Sequence, residues 1–326
     1  MKARRRISIG VAALAVTALP LAGCGRTDNL DQTVNNAPGK SDLTIAVITH
    51  GGPGDAFWDV VKKGAEQAGD DLRVKVQYQG SGKPDEQADL VNAAISNRVN
   101  GIVVSMANPD ALADPIKRAV TANIPVITIN SGQAKSKEFG ALAHVGQDET
   151  VAGRAAGNRL AQSGIRRLLC VKHEAANIGL DQRCGGATET LGGKVETLQV
   201  DGKNVAEAQN TIASKLQQDK SIDGVLTLNP AIAAAAVDAA TKAGSRARIA
   251  TFDLNADVID AVDAGRILFA VDQQQYLQGY LPVMMLKLYS ENANTVGGGS
   301  PVLTGPGFVS KDNVAKVRDL TGKGTR

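Results

Sequence analysis

"LTIAVITHGGPGDAFWDVV", residues 43–61, decides the fold. An apolar run, a glycine-rich turn and an amphipathic stretch follow one another directly, which is the order strand, loop, helix. From Phe57 onward, Phe57, Val60, Val61, Ala65 and Ala68 recur at spacings of three and four, so one helical face is apolar. A turn of this kind can cradle phosphate, form an oxyanion hole or shape another pocket. It lacks the lysine and hydroxyl of G-x-x-x-x-G-K-[ST], and Phe57 stands where a dinucleotide fingerprint needs its third glycine. "HGG" resembles an esterase oxyanion loop, but no G-x-S-x-G nucleophile elbow occurs in the chain. The turn is therefore expected to aim His50 and the aromatic pair Phe57-Trp58 into a cleft, with no catalysis, cofactor or metal.

The same alternation continues outward. "RVKVQY" (73–78), "GIVVS" (101–105) and "PVITI" (125–129) are strand candidates, with helical segments near 55–70, 84–98 and 110–122. It restarts with "ALAHV" (141–145), "RRLLCV" (166–171), "KVETLQV" (194–200), "DGVLTL" (223–228), "ARIATF" (247–252) and "RILFAV" (266–271). Thr150 to Gln162, Ala206 to Gln217 and residues 230–244 are helices between them, the last with Pro230 near its start and Gly244 at its end. "VGGGSP" (296–301) is a loop, "TGPGFVS" a final strand, and "TGKGTR" a frayed tail. Apolar strands alternating with helices imply parallel sheets covered on both faces. Two doubly wound, Rossmann-like α/β halves account for the length better than one very wide sheet.

Composition narrows the function. With 43% hydrophobic and 21% charged residues among 326, the chain is globular. Its formal charge of +3 comes from Lys2, Arg4, Arg5 and Arg6; without them 32 basic side chains face 33 acidic ones. A near-neutral body has no electrostatic footprint for nucleic acid. Residues 1–23 read as a leader: basic "MKARRR", apolar "ISIGVAALAVTALP", then "LAGC" ending in Cys24. The apolar run falls short of the roughly 20 residues that span a bilayer. "LAGC" resembles a bacterial lipobox, which implies lipidation (palmitate) at Cys24; an ordinary export signal is the plainer alternative. Residues 24–42 form a polar tether. Cys170 and Cys184 remain in an exported protein, compatible with a disulfide or with two separately buried thiols.

In open α/β sheets, ligands bind beyond the carboxyl ends of the strands. Those ends carry His50, Ser105, Asn130-Ser131, Gln147-Asp148, His173-Glu174, Asn229, Asp253 and Asp272-Gln273. Amides and carboxylates bond hydroxyls and aromatic rings cover C–H faces, so the set suits a polyhydroxylated ligand. "DAFWDVVKKGAEQA", "GIVVSMANPDAL", "IPVITINS", "HVGQDETVAGRAAG", "NIGLDQRCGG", "LTLNPAIAAAAVDAATKAG", "ATFDLNADVIDAVDAGRI" and "AVDQQQYLQGY" occur in this order. Together they resemble the ribose-binding branch of the simple-sugar substrate-binding proteins of bacterial ABC importers, over about residues 43–320.

The resemblance implies a type I binding-protein fold: two lobes, 43–147 plus about 274–302 and 148–273 plus about 303–320, joined by three crossings. It implies that Phe57 and Trp58 pack on the sugar, that Asn130, Asn229, Asp253 and Gln273 bond its hydroxyls, and that Asp148 lies at a crossing. In "GLDQRC", Arg183 or Asp181 takes the place of a sugar-binding arginine; His50, Asp55 and Asn177 are looser candidates. Several have structural alternatives: the aromatics as core, Asn229 and Asp253 as helix caps. His173 and Glu174 are read as structural. Asn130-Ser131 replaces the family's Asp-Arg pair and Ala56 a common proline, which argues against ribose itself. The expected ligand is a pentose or a tetritol or pentitol, delivered by a monomer, lipid-anchored outside the cytoplasmic membrane, to a permease and its ATPase subunit. A sensor presenting a furanosyl signal to a membrane receptor would show the same cleft. A lactose-repressor-type factor would need a basic DNA-binding module where the leader and tether stand.

Overall fold

The computed structural model describes residues 43–52 and 54–326; the leader 1–23, Cys24 and the tether 24–42 lie outside the described residues. In chain order the elements are β1 (Thr44–Thr49), α1 (Ala56–Leu72), β2 (Lys75–Gly80), α2 (Pro84–Ser96), β3 (Gly101–Ser105), α3 (Pro109–Thr121), β4 (Val126–Ile129), α4 (Gln133–Ser136) and β5 (Ala143–Gln147). Then come α5 (Glu149–Gln162), β6 (Arg167–Lys172), α6 (Ile178–Thr190), β7 (Lys194–Gln199), α7 (Val205–Gln218), β8 (Gly224–Thr227), α8 (Pro230–Lys242), β9 (Arg248–Phe252), α9 (Ala256–Asp263) and β10 (Ile267–Asp272). Last are α10 (Gln275–Asn292), β11 (Val302–Gly305), β12 (Gly307–Ser310) and α11 (Arg318–Gly322).

Two six-stranded sheets result, ordered β11-β5-β4-β3-β1-β2 and β12-β10-β9-β8-β6-β7. Replacing β1 to β5 by β6 to β10, and β11 by β12, turns one order into the other. The chain thus runs one doubly wound plan twice. All pairings are parallel except β12, which is antiparallel to β10. "ALAHV" belongs to β5 and completes the first sheet, so the plan restarts at β6.

Strand alternation sorts side chains onto two helical layers. In β1, Ile45 and Val47 pack towards α1 and α10, whereas Ala46 and Ile48 pack towards α2 and α3. In β6, Leu169 and Val171 face α7 and α8, and Leu168 and Cys170 face α5 and α6. On α1 the buried face is Phe57, Trp58, Val61, Gly64, Ala65 and Ala68; Val60 is only half-buried, so the apolar face is rotated towards Trp58. Cys170 of β6 and Cys184 of α6 form a disulfide, which settles the two alternatives.

The C-terminal region departs from expectation twice. "TGPGFVS" is two strands, not one: β11 pairs with β5 in the first sheet and β12 with β10 in the second. Pro306 between them has no N–H for a ladder, so the run breaks there and the chain changes sheets. With the β5–α5 and β10–α10 junctions this makes three crossings. The tail is not frayed. Asp272 is fully buried, and Arg326 Nε donates to its Oδ2 at 2.6 Å. A buried carboxylate needs such a partner.

Helices pack closely in equivalent places. A Cβ on Gly64 would strike the Tyr276 carbonyl, and one on Gly279 the Val61 carbonyl, so α1 and α10 meet backbone to backbone. Gly153 and Gly186 do the same for α5 and α6. In an exposed helix Gly→Ala would stabilise by about 1 kcal/mol. Here Gly279→Ala is expected to destabilise by about 2 kcal/mol, because overpacking outweighs propensity. A urea midpoint equal to or above that of the parent would contradict this packing.

Candidate functional site

Two equivalent strand ends carry the same unusual backbone. Asn130 follows β4 with φ 61° and Asp253 follows β9 with φ 69°, both in the left-handed region. Asn and Asp tolerate it better than other side-chain-bearing residues. Each still donates its N–H to the next strand, Asn130 to Val145 O at 3.1 Å and Asp253 to Val271 O at 2.8 Å. The turn away from the strand places both side chains at the joint between the sheets.

Gln273, at the second crossing, ties them together. Asn130 Nδ2 donates to Gln273 Oε1 at 3.1 Å, and Gln273 Nε2 donates to Asp253 Oδ1 at 2.7 Å. Gln278 on α10 accepts from Asn130 Nδ2 at 3.2 Å and donates to Gln273 Oε1 at 2.9 Å. The Ser131 hydroxyl lies 3.0 Å from Asn130 Oδ1 and 3.2 Å from Asn177 Oδ1.

Arg183, on α6, supplies the buried cation. Its guanidinium grips Glu149 in a fork, Nε–Oε2 2.5 Å and Nη2–Oε1 2.8 Å, and Nη1 lies 3.9 Å from Asp253 Oδ2. The guanidinium also covers the Phe252 ring at 4.6 Å. Burial works against its charge, but Glu149, Asp253 and Glu174 outweigh it and raise its pKa. Asp181 is excluded as the alternative, since it is exposed and paired with Lys172.

On the opposite wall, Gly51 makes room for Trp58: a Cβ there would collide with the indole. The indole meets His50 edge-on at 4.6 Å and Phe57 at 4.9 Å. His50 N donates to Ser105 Oγ at 2.9 Å, while its Nδ1 lies 2.7 Å from the same oxygen. Burial holds the His50 pKa down, so the ring is neutral. Asn177 Oδ1 caps α6 through Gly179 N at 3.0 Å and its Nδ2 donates to Glu174 Oε2 at 2.7 Å. That Nδ2 also lies 3.4 Å from His50 Nε2, so the two halves meet at this pair. Burial raises the Glu174 carboxyl, but favourable partners, the Asn177 amide and Arg183 among them, outweigh it and keep its pKa low.

These groups surround a cavity of about 30 Å³, lined by His50, Asp55, Phe57, Trp58, Asn130, Asn177, Arg183, Asn229, Asp253 and Gln273 among others. Ten of the eleven expected side chains converge. Asn229 is the helix cap weighed for it: its Oδ1 caps α8 through Ala231 N at 2.8 Å, leaving its NH2 as a spare donor. Asp55 likewise caps α1 through Phe57 N at 3.0 Å. Asp148 is the exception. It caps α5, accepting from Val151 N at 2.9 Å, and lines neither the cavity nor its hydrogen-bond network. The next residue, Glu149, is the buried one. His173 and Glu174, read as structural, also line the cavity. Glu149 and Gln278 were missed; a buried arginine on α6 demanded a carboxylate, but nothing local pointed to position 149.

Burial pushes the Asp253 carboxyl up to about 7 despite Arg183 and Gln273, and Asp55 up to about 6 despite the Phe57 amide. A raised carboxyl binds more protons folded than unfolded between its ordinary value and the raised one. Stability from this group is therefore present at low pH and falls as pH rises from about 4 towards 7. Asp253→Asn is expected to raise the melting temperature relative to the parent more at pH 8 than at pH 5, by calorimetry without ligand. An equal difference at both pH values would contradict the assignment.

The periplasmic binding protein domain matches residues 45–294. A carbohydrate transporter structure from Acidothermus cellulolyticus 11B, in complex with myo-inositol, is 45% identical and superposes with a TM-score of 0.86, covering 87% of this chain and 99% of that one. The xylose/arabinose-binding protein XylF of Sulfolobus acidocaldarius is 26% identical over 268 residues, 74% of this chain and 65% of the relative, just under two thirds of its length. The ribose import binding protein RbsB of Haemophilus influenzae is 26% identical over 264 residues, 77% of this chain and 86% of the relative. Such families bind substrates and do not transform them. The chain belongs to the periplasmic binding protein domain family.

Proposed function

We propose that the chain is the extracytoplasmic binding component of an ABC importer, and that it takes a small polyhydroxylated ring at the joint between its sheets. The observation that carries this is the convergence of Asn130, Asp253, Gln273, Arg183, Asn177 and His50, from both halves, beside Phe57 and Trp58. The 45% identical relative held myo-inositol, which makes a cyclitol the first candidate, ahead of the pentoses and the tetritols and pentitols. No feature of the site asks for a carbonyl or an anion.

The mechanism is exchange. Asn130, Gln273 and Asp253 bond one another across the joint, and ligand hydroxyls that replace those bonds touch both halves together. A ligand with contacts to both walls stabilises the closed arrangement over an open one. Micromolar affinity needs about −8 kcal/mol. Several hydrogen bonds to charged partners, at roughly 1.5–3 kcal/mol each, supply this after ordering costs. The closed form then docks on a permease driven by its ATPase subunit. Lipidation at Cys24, a polar tether over 24–42, and lobes that exchange chain at the three crossings complete this reading. Among the described residues no helix is long and apolar enough to cross a membrane.

Calorimetric titration of the protein with myo-inositol, pentoses, tetritols and pentitols tests it. One class is expected to bind at micromolar or tighter affinity, and Asp253→Ala to weaken it at least a hundredfold with the circular dichroism unchanged. Binding of none of them would overturn the reading; unchanged affinity in Asp253→Ala would remove that residue from the site.

A further inference from the structure

A second, larger cavity of about 720 Å³ lies directly against the inner one. His50, Asp55, His173, Glu174, Asn177 and Asn229 line both. The two cavities are thus neighbours that meet at these six side chains. The outer chamber is bounded by loops β2–α2 and β3–α3 of the first half and β6–α6 and β7–α7 of the second.

The chamber persists although the halves already touch. Ile178 N donates to Ala107 O at 3.0 Å, and Ser131 reaches Asn177. Small residues on both sides keep it from filling: Gly52, Gly82 and Ala107 on one, Ala175, Ala176 and Gly202 on the other. At about 30 Å³ per water, its volume equals some two dozen waters, and it falls in the ~300–1,000 Å³ range of whole ligand pockets. The inner cavity has the volume of about one water, so a ring on the inner groups must reach into this chamber, and a single ring still fills only part of it.

Its lining mixes small apolar residues with polar ones, and its charged groups are mostly acidic. Asn108 and Asn229 occupy equivalent positions in the two halves, and each spends its Oδ1 on a helix cap, which leaves its NH2 to donate. His173 Nδ1 is buried without a hydrogen-bond partner, and burial holds this imidazole neutral with a pKa of about 4. Glu174, Asp201 and Glu207 face one cation, Lys203. That balance repels a phosphate or carboxylate and accepts hydroxyls.

We propose that the outer chamber is a second subsite, and that the ligand is a polyol or sugar ring carrying an uncharged glycosyl substituent. The ring occupies the inner groups and the second sugar lies among Asn108, Asn229, Lys203 and Glu207. This rests on the reading of the inner site given above and names its ligand class more closely.

Two parent rings, myo-inositol and D-xylose, are to be titrated by calorimetry against their glycosylated forms, galactosyl-myo-inositols of differing linkage and xylobiose, and against myo-inositol phosphate. The expected result is that one parent binds, a glycosylated form of it binds at least tenfold tighter, and the phosphate gains nothing. Thr211→Phe or Ala176→Phe, at positions that line the chamber and not the inner cavity, are expected to abolish the gain and leave the parent ring's affinity unchanged. If a parent binds but every glycosylated form binds equally or more weakly, the chamber is a solvent-filled mouth and the subsite is refuted, while the inner site stands. A gain that survives both Phe variants also refutes it. If no parent and no glycosylated form binds, the inner-site reading falls and takes this one with it.

Discussion

Asp253 is a carboxylate with no access to water, placed where the chain passes between its two sheets. Such a group must be neutralised, paired or bonded, and the architecture around it follows from that requirement. Gln273 donates to one oxygen and Arg183 stands near the other. Arg183 is itself buried, so it needs Glu149; Gln273 needs an orientation, which Gln278 and Asn130 fix. One buried charge thus recruits groups from α5, α6, α10 and the end of β4. It makes the joint between the halves polar, where each half alone is built on an apolar core.

The repeated topology explains why those groups meet. Asn130 and Asp253 are equivalent, as are Asp55 and Asn177, and Asn108 and Asn229. In each pair the backbone role is shared, a left-handed turn or a helix N-cap; the chemistry differs in the first two, amide against acid and acid against amide, and is the same in the third. The fold sets positions by repetition, and the departures from repetition set recognition. Trp58 has no counterpart, since α6 carries Gly179 and Leu180 in its first turn, so the first half carries the indole and the second half the buried cation.

Much of this was legible in the chain. Apolar runs located the strands, because strands covered on both faces have no polar side; "GIVVS" matches β3 residue for residue. The rule that ligands sit beyond parallel strands then gave Asn130, Asp253 and Gln273. What failed was non-local. Asp148 and Glu149 are both acidic, and only the position of Arg183, 34 residues away, decides which is buried. Pro306 splits a run whose glycines and apolar residues read as continuous. Arg326 is anchored by a buried carboxylate on β10 that no local pattern announces. Phe57 and Trp58, weighed as either core or ligand surface, are buried in the core and also line the cavity.

A crystal structure of the protein with its tightest polyol or sugar tests the central claim most directly. The account requires oxygens of one ligand within hydrogen-bond distance of Asn130 from the first half and Asp253 from the second, with a C–H face of the ring on Phe57 or Trp58. A ligand bonded to one half only, or seated away from these residues while Asn130, Gln273 and Asp253 keep their bonds to one another, would contradict it.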